Sequence, residues 1–209
     1  MIDAALKKSF DQRFSLVRTL EKNRLIPPSD QASLTLMDAQ PGCFFTCLNL
    51  TYYVQEKNQY QEMSEDFAFR QDYFITELTC LCLETGQTVY FEWAFDDELE
   101  IGITLEQTSF RHLRDTEGQA VDEDDLDQIA DDKDGIVFAG ETFWYEDDWA
   151  ALYQRGKKEE KVYMYEFENE AGSLFLTIEE WSGSGREEYK IYTSKPVAPG
   201  QITLLAKGA

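Results

Sequence analysis

Hydrophobic and polar positions follow two different periods along the chain. In residues 3–22, apolar side chains recur every three or four positions, at Leu6, Phe10, Phe14, Val17 and Leu20. This spacing predicts an amphipathic helix, which the Pro27-Pro28 pair ends. From Leu34 onward, short runs of alternating apolar and polar residues are separated by turn residues, and this pattern predicts β-strands.

The predicted strands fall into two groups on either side of an acidic segment. The first group covers residues 33–37, 43–55, 73–84, 88–95 and 99–107. The second group covers residues 135–139, 141–145, 149–155, 162–168, 174–181, 187–193 and 202–206. Residues 115–134 are almost all polar and acidic and predict a loop or a short helix, while the polar residues 56–69 predict a loop or an irregular edge.

The two groups share an order of motifs. In the first, Glu84-Thr85-Gly86 precedes a strand that contains Phe91-Glu92-Trp93. In the second, Glu170-Ala171-Gly172 precedes a strand that ends in Glu179-Glu180-Trp181. The spacing between the glycine and the tryptophan differs by two residues, which leaves the faces of an alternating strand unchanged. We interpret this order as a duplicated three-stranded meander.

These patterns predict a mainly β fold. Two tandem, related antiparallel meanders are expected to pack as a sandwich or as partly open barrels, preceded by an N-terminal amphipathic helix. The expected divisions are a helical leader at residues 1–28, a first β repeat at 29–114, an acidic connector at 115–134 and a second β repeat at 135–209.

Several elements of both groups carry a resemblance to a known family. In the first group they are Pro41-Gly42 through Tyr53-Val54, residues 73–84, and Tyr90-Phe91-Glu92-Trp93 with Asp96-Asp97-Glu98-Leu99-Glu100; in the second they are residues 138–143, 163–167, 176–181 and 197–205. Their order resembles the bacterial family called domain of unknown function 4178, over about residues 34–206. Members of that family tend to occur near membrane-stress proteins of the phage-shock type and near polyamine-synthase-like proteins. The resemblance therefore implies an accessory or scaffolding role, and it carries over no catalytic residue.

The charge of the chain is strongly negative and unevenly distributed. The formal net charge is −22, so nucleic acid is not an expected partner, because phosphate binding requires a basic face. Residues 1–26 nevertheless hold six basic and three acidic residues. A protein partner that is basic or membrane-associated is expected. For the leader helix, packing on the β body or a dimer contact is favoured over docking on a membrane surface or another partner.

The apolar segments are short and the cysteines lie within them. No stretch approaches the ~18 apolar residues of a membrane span, and residues 1–26 lack the apolar core of a secretory signal, so a cytoplasmic location is expected.

Cys43 and Cys47 form a CxxxC pattern, and Cys80 and Cys82 form CxC. Buried free thiols are favoured over a four-thiolate zinc site, which usually uses CxxC motifs in tight turns.

Glu92 and Glu180 are the carboxylates that the shared motif order selects. In a strand, each points to the face opposite its neighbouring tryptophan. Trp93 and Trp181 are predicted to lie in the core, so the two glutamates are candidates for a binding site if they converge. The structural alternative is that each is an ordinary cross-strand neighbour of a lysine or a tyrosine.

Residues 130–141 approach the pattern of a calcium-binding EF-hand loop. Asp132, Asp134 and Glu141 stand at ligand positions, but Ala130 replaces the first acid and a strand is predicted to follow. They are weak calcium candidates, and no metal is expected.

His112 is the only histidine and is interpreted as a surface residue at a strand end. No glycine-rich phosphate-binding motif is present, so no cofactor is expected.

Three classes of function remain open. The sequence favours a non-catalytic interaction or scaffolding protein, accessory to a membrane-stress or membrane-associated complex. The first alternative is a carboxylate-dependent hydrolase with a groove between the repeats, and the balance of motifs leans against an enzyme. The second alternative is an acidic binder of cations or polyamines.

Overall fold

The predicted leader helix is helix α1 (Ala4–Arg18). The structure is a computed structural model that describes residues 4–18, 20–21, 24–182 and 187–208, with the backbone alone at residues 4–6 and 187. The side chain of Leu6 and the predicted turn at residues 183–185 therefore lie outside the described part. A short helix, α2 (Pro28–Gln31), begins at the second proline of the predicted helix stop.

The described residues after α2 form one further α-helix and twelve strands. The helix is α3 (Leu126–Asp132). The strands are β1 (Phe44–Cys47), β2 (Leu50–Met63), β3 (Arg70–Cys82), β4 (Thr88–Phe95), β5 (Leu99–Thr108), β6 (Arg114–Asp115), β7 (Gly135–Phe138), β8 (Glu141–Arg155), β9 (Lys158–Asn169), β10 (Phe175–Ser182), β11 (Glu187–Pro196) and β12 (Ile202–Ala206). The prediction of a mainly β fold preceded by a helix is confirmed.

The hydrogen-bonded order of the strands is β12-β1-β2-β3-β4-β5-β11-β10-β9-β8-β7-β6, and β2 also pairs with β8. The three strands of each predicted meander are neighbours in this order, as β3-β4-β5 and as β11-β10-β9. The adjacency agrees with the expected meanders. The duplication itself concerns sequence kinship and stays a prediction.

Three predicted elements differ in the structure. The polar residues 56–63, predicted as loop or edge, continue β2, because residues 59–63 pair with residues 150–154 of β8 and satisfy their backbone groups there. The predicted strand at residues 33–37 is replaced by a short 3₁₀ helix at Leu36–Asp38, which Thr35 and Asp38 cap. The predicted strands at 141–145 and 149–155 form the single strand β8, with a bulge between Tyr145 and Asp147.

Contacts divide the chain into two compact units. Unit one comprises residues 1–57, 77–101 and 197–209, and unit two comprises residues 58–76 and 102–196. Strands β2, β3 and β5 contribute residues to both units. Each unit is described separately below.

Unit one has an aromatic centre beside its four cysteines. The Phe91 ring lies edge-on to Phe45 and Tyr52, at centroid distances of 5.0 and 4.8 Å. All three side chains are buried, and so are Cys43, Cys47, Cys80 and Cys82. β12 extends this unit by pairing with β1, where Cys47 opposes Ile202.

Unit two buries one face of its strands under the acidic connector. Ile178 of β10 opposes Tyr165 of β9 and Ile191 of β11, and the three belong to one hydrophobic core. Leu126 and Ile129 of α3 complete that core. The segment between residues 115 and 134 therefore contains the short helix that its pattern allowed, and its few apolar residues explain why it folds onto the sheet.

Polar contacts attach α1 to unit one. Arg13 Nη1 donates hydrogen bonds to the carbonyl oxygens of Leu83 and Glu84, the latter at 2.9 Å. Gly86, with a φ of +76°, lets the helix approach, because a Cβ atom there would lie 3.0 Å from Ser9 Oγ. The helix lies on unit one, as favoured, but its apolar stripe is not the contacting face: Phe10, Phe14 and Val17 are 57%, 45% and 44% exposed.

An Arg13→Ala substitution tests this attachment. It removes both hydrogen bonds, and a loss of about 1.4 kcal/mol would raise the population of the detached helix roughly tenfold. Limited proteolysis should then cut within residues 7–18 about tenfold faster, while the urea midpoint of the strands stays unchanged. The neighbouring Gln12→Ala serves as the control, and equal cleavage rates for the two variants would contradict the attachment.

Candidate functional site

Glu92 and Glu180, the predicted binding pair, belong to different units and are both half-buried. Glu180 opposes Tyr163 and Tyr189 on the neighbouring strands. Trp181 is buried as predicted, whereas Trp93 is only half-buried. A binding role for the two glutamates stays a prediction.

The Trp93 side chain has one unsatisfied polar atom. Its indole Nε1 is buried and finds no hydrogen-bond partner among the described residues. Lys57 Nζ lies 5.7 Å from the centroid of the ring and donates a hydrogen bond to the Ala39 carbonyl oxygen at 3.1 Å. Burial lowers the pKa of the Lys57 ammonium, although Cys43 and Asp38 oppose that shift.

Glu179 is the glutamate that unit two buries. It is 3% exposed, and both of its carboxyl oxygens accept hydrogen bonds. Tyr60 Oη donates to Oε1 at 2.8 Å, and Trp181 Nε1 donates to Oε2 at 2.8 Å. The sequence contained a signal for this residue, because Glu179 and Trp181 are two positions apart and share one face of β10.

Aromatic rings surround the Glu179 carboxyl group. Tyr60 and Tyr153 lie 4.7 Å apart between centroids, and Tyr153 and Trp181 lie 5.1 Å apart. Lys190 Nζ lies 3.6 Å from the centroid of the Trp181 ring. Burial of the Glu179 carboxyl group strengthens its two hydrogen bonds and raises the free-energy cost of losing either one.

Glu166 is a second acid on the same face as Glu179. It opposes Thr177, while Glu179 opposes Met164, so the two glutamates are diagonal neighbours on β9 and β10. Such neighbours lie about 7–8 Å apart. Burial raises the pKa of the Glu166 carboxyl to about 7; a hydrogen bond with Trp149 acts against this rise and the Asp147 charge adds to it.

We call Glu166, Glu179, Tyr60, Trp149 and Trp181 the acid–aromatic cluster. A carboxyl group with a pKa near 7 has the property that a general acid or base needs at neutral pH. Catalysis also requires room for a substrate, and three cavities of about 330, 590 and 780 Å³ are lined by other residues. Within the cluster, the hydrogen bond from Tyr60 to Glu179 joins β2 to β10, and the hydrogen bond between Trp149 and Glu166 joins β8 to β9.

Tyrosines and acids meet on the opposite face of β9. Tyr165 Oη donates a hydrogen bond to Asp127 Oδ1 of α3 at 2.8 Å. Burial, followed by Asp148, raises the pKa of the Tyr145 hydroxyl to about 12. Burial and Asp127 also raise the pKa of Tyr165, with a smaller contribution from Glu180. These hydroxyl groups stay protonated at neutral pH, and the Tyr165 bond fastens α3 to the strands.

The four thiols of unit one are buried and form no disulfide, as the sequence favoured. Burial raises the pKa of the Cys80 thiol well above its usual value, and the nearby Glu77 and Cys43 add to that rise. Cys80 is therefore a neutral thiol at physiological pH, with little nucleophilic or metal-binding character.

The weak calcium candidates lie in or directly beside regular secondary structure. Asp132 ends α3, Asp134 precedes β7, and Glu141 begins β8. Asp134 Oδ1 accepts hydrogen bonds from the Gly135 backbone nitrogen at 2.7 Å and from Thr116 Oγ1 at 3.2 Å. Across the ranges that the structure describes, no group of three or more histidine, cysteine, aspartate or glutamate side chains is arranged to hold a metal ion.

Comparison with known families gives one match. The family model described as Domain of unknown function (DUF4178) matches residues 40–199. The chain belongs to this family. No curated protein and no solved structure matches the chain. The resemblance inferred from the motif order is thereby confirmed, and the acid–aromatic cluster and the four cysteines lie within the part that matches DUF4178.

Helix α1 lies outside the DUF4178 match and presents an exposed surface. We call Phe10, Phe14 and Val17 the α1 stripe. The Phe10 and Phe14 rings stack at a centroid distance of 5.8 Å, and the Arg18 guanidinium lies 4.5 Å from the Phe14 centroid. Lys7 and Lys8 are exposed near the start of the helix. None of the described helices has the length and apolar character needed to span a membrane.

Removal of the Glu179 carboxyl group tests the acid–aromatic cluster. Glu179→Ala should lower the free energy of unfolding by about 2–5 kcal/mol, because two buried donors lose their acceptor. Glu180→Ala, at the half-buried neighbouring position, is the matched control and should cost less than about 1.5 kcal/mol. Urea unfolding at neutral pH measures both values. A larger loss in Glu180→Ala would contradict the central position of Glu179.

Glu166→Gln tests the raised pKa of Glu166. The folded chain binds this proton more tightly than the unfolded chain, since the pKa rises from 4.5 to about 7 on folding. The contribution of Glu166 to the free energy of unfolding is therefore present below pH 4.5 and is lost as the pH rises towards 7.

Glutamine cannot ionise, so the stability of Glu166→Gln relative to the unsubstituted chain should increase over that interval. Urea unfolding across this pH range measures it. Glu160→Gln, at an exposed position of the same strand, is the control, and parallel pH profiles for Glu166→Gln and the unsubstituted chain would exclude the shift.

Proposed function

We propose that this chain is a non-catalytic, cytoplasmic interaction module that docks on an anionic membrane surface through helix α1 and presents its acidic β body to a protein partner. The observation that carries the proposal is the exposed α1 stripe, attached to unit one by Arg13. Exposed, contiguous apolar patches on water-soluble folds commonly mark interaction surfaces.

The α1 stripe supplies the apolar part of the interaction. Phe10, Phe14 and Val17 follow the i, i+4, i+7 spacing of one helix face, and each is about half exposed. Transfer of their exposed surface from water into a lipid interface contributes roughly 1 kcal/mol per side chain. Helices of this kind lie in the plane of the interface with their apolar face towards the acyl chains.

Basic side chains beside the stripe favour an anionic surface. Lys7 and Arg18 are exposed on α1 within one helical turn of the stripe, and each cation near an anionic leaflet contributes about 1 kcal/mol. The acidic body opposes binding, because the whole chain carries a net charge of −22. That repulsion is screened beyond ~10 Å at about 0.1 M salt. Attraction of the basic residues of α1 and repulsion of the acidic body together favour weak, reversible binding in which α1 faces the membrane.

The two alternative functions have less support in the geometry. The hydrolase alternative requires a substrate groove that contains Glu92 or Glu180, and neither residue lines the three cavities described above. A cation binder would need convergent ligands, and the part of the chain with described coordinates contains no such group for a metal. Of the three functions, only membrane docking accounts for the exposure of the α1 stripe.

Vesicle flotation tests the proposal. The full chain should float with vesicles that contain phosphatidylglycerol and should not float with phosphatidylcholine alone. The double substitution Phe10→Ser and Phe14→Ser should lower the partition coefficient at least about tenfold, because it removes more than 1.4 kcal/mol of apolar transfer. Phe69→Ser is the matched control, since Phe69 is 72% exposed and lies in unit two.

Three outcomes would contradict membrane docking. The first is failure of the unsubstituted chain to float with anionic vesicles, and the second is equal flotation of the double variant and Phe69→Ser. The third is self-association through the stripe, seen by light scattering as a dimer that the double substitution dissociates and that anionic vesicles leave intact. In that case the stripe would bind a second copy of the chain.

A further inference from the structure

A cavity in unit two carries positive charge in an otherwise acidic chain. It has a volume of about 590 Å³ and lies at the end of β5, where Gln107, Thr108, Arg111, His112, Arg114 and Phe138 line it. Cavities of this size accommodate small organic ligands. We call it the arginine cavity.

Hydrogen bonds hold the Arg111 guanidinium in place. Its Nε donates to His112 Nε2 at 3.1 Å, and the other ring nitrogen, Nδ1, lies 3.1 Å from Thr108 Oγ1. Because Nε2 accepts, the ring proton belongs on Nδ1, which donates to Thr108. His112 therefore positions Arg111, and the two terminal nitrogens of Arg111 have no protein partner among the described residues.

Arg114 is held by backbone groups. Its Nη1 donates to the carbonyl oxygens of Leu113 and Arg111, the latter at 3.1 Å. Arg70 of β3, by comparison, forms an ion pair with the Glu159 carboxylate at 2.9 Å. Within the described ranges neither Arg111 nor Arg114 has such a carboxylate partner, although the sequence contains 41 acidic residues. Two guanidinium groups without a counter-ion are available to an anion.

The other wall of the cavity is apolar. Phe138 is half-buried at the end of β7, and Ala139, with a φ of +52°, begins the turn into β8. Glu106 also lines the cavity and reduces its net charge, so a small anion is favoured over a highly charged one. Carboxylate and phosphate groups can each accept two parallel hydrogen bonds from a guanidinium group.

We propose that the arginine cavity binds a small organic anion whose phosphate or carboxylate group pairs with Arg111 and Arg114 while its apolar part lies against Phe138. This site is independent of α1 and of the membrane docking proposed above. It adds a ligand class that a scaffolding role does not require.

Nuclear magnetic resonance of His112 tests the proposal on the full chain, because the sequence contains a single histidine. Phenyl phosphate and benzoate are the anionic probes, and phenol is the uncharged probe of the same shape. At constant pH, at least one anionic probe should shift the His112 ring signals saturably with a dissociation constant of about 1 mM or below. The tighter of the two anions identifies phosphate or carboxylate as the preferred group. Phenol should give no saturable shift.

Arg111→Ala and Arg114→Ala should each raise the dissociation constant at least about fivefold, corresponding to about 1 kcal/mol. Arg114→Ala is the more informative variant, since it leaves the contact between Arg111 and His112 intact. Lys157→Ala removes the same charge from an exposed turn and should keep the dissociation constant within about twofold. Thermal melting confirms that each variant is folded.

The absence of a saturable shift with both anions would overturn the proposal. So would a folded Arg114→Ala variant that binds as tightly as Lys157→Ala, or phenol binding as tightly as the anions. The last result would show that the cavity recognises an apolar ring and not an oxyanion.

Discussion

The hydrogen bonds from Arg13 to the carbonyl oxygens of Leu83 and Glu84 are the interaction on which the proposed role depends. They attach α1 by a polar side chain, and Phe10, Phe14 and Val17 remain exposed instead of packing on unit one. Gly86 permits the approach, because a side chain there would crowd Ser9. The consequence is a helix that polar groups position and whose Phe10, Phe14 and Val17 side chains stay exposed, as the docking proposal requires.

In unit two, acidic side chains join elements by accepting hydrogen bonds. Glu179 is buried, and donors from β2 and β10 satisfy both of its oxygens. Asp127 ties α3 to Tyr165 in the same way. A chain with 41 acidic residues thus uses particular carboxyl groups as internal acceptors. Arg111 and Arg114 line one cavity, and neither has a carboxylate partner in the described structure, which is what makes the arginine cavity a candidate site.

Local patterns in the sequence were sufficient for the helix, most strands and the family. They did not reveal which face of α1 contacts the body, because the acceptors of Arg13 lie 70 residues or more away. The polar character of residues 56–63 predicts a loop or an irregular edge, whereas pairing of β2 with β3 and β8 explains the observed strand. Glu180 was selected by the motif order, whereas the alternation with Trp181 already placed Glu179 on the buried face. The environment of Arg111 depends on tertiary contacts, which the spacing of residues along the sequence does not predict.

Hydrogen exchange of the full chain, with and without vesicles that contain phosphatidylglycerol, tests the membrane-docking claim most directly. The account predicts that amides in residues 7–18 gain protection when the vesicles are present, because docking suppresses opening of α1. Amides of β9 and β10, in unit two, should be unaffected. Unchanged exchange in residues 7–18 at saturating vesicle concentrations would contradict the account.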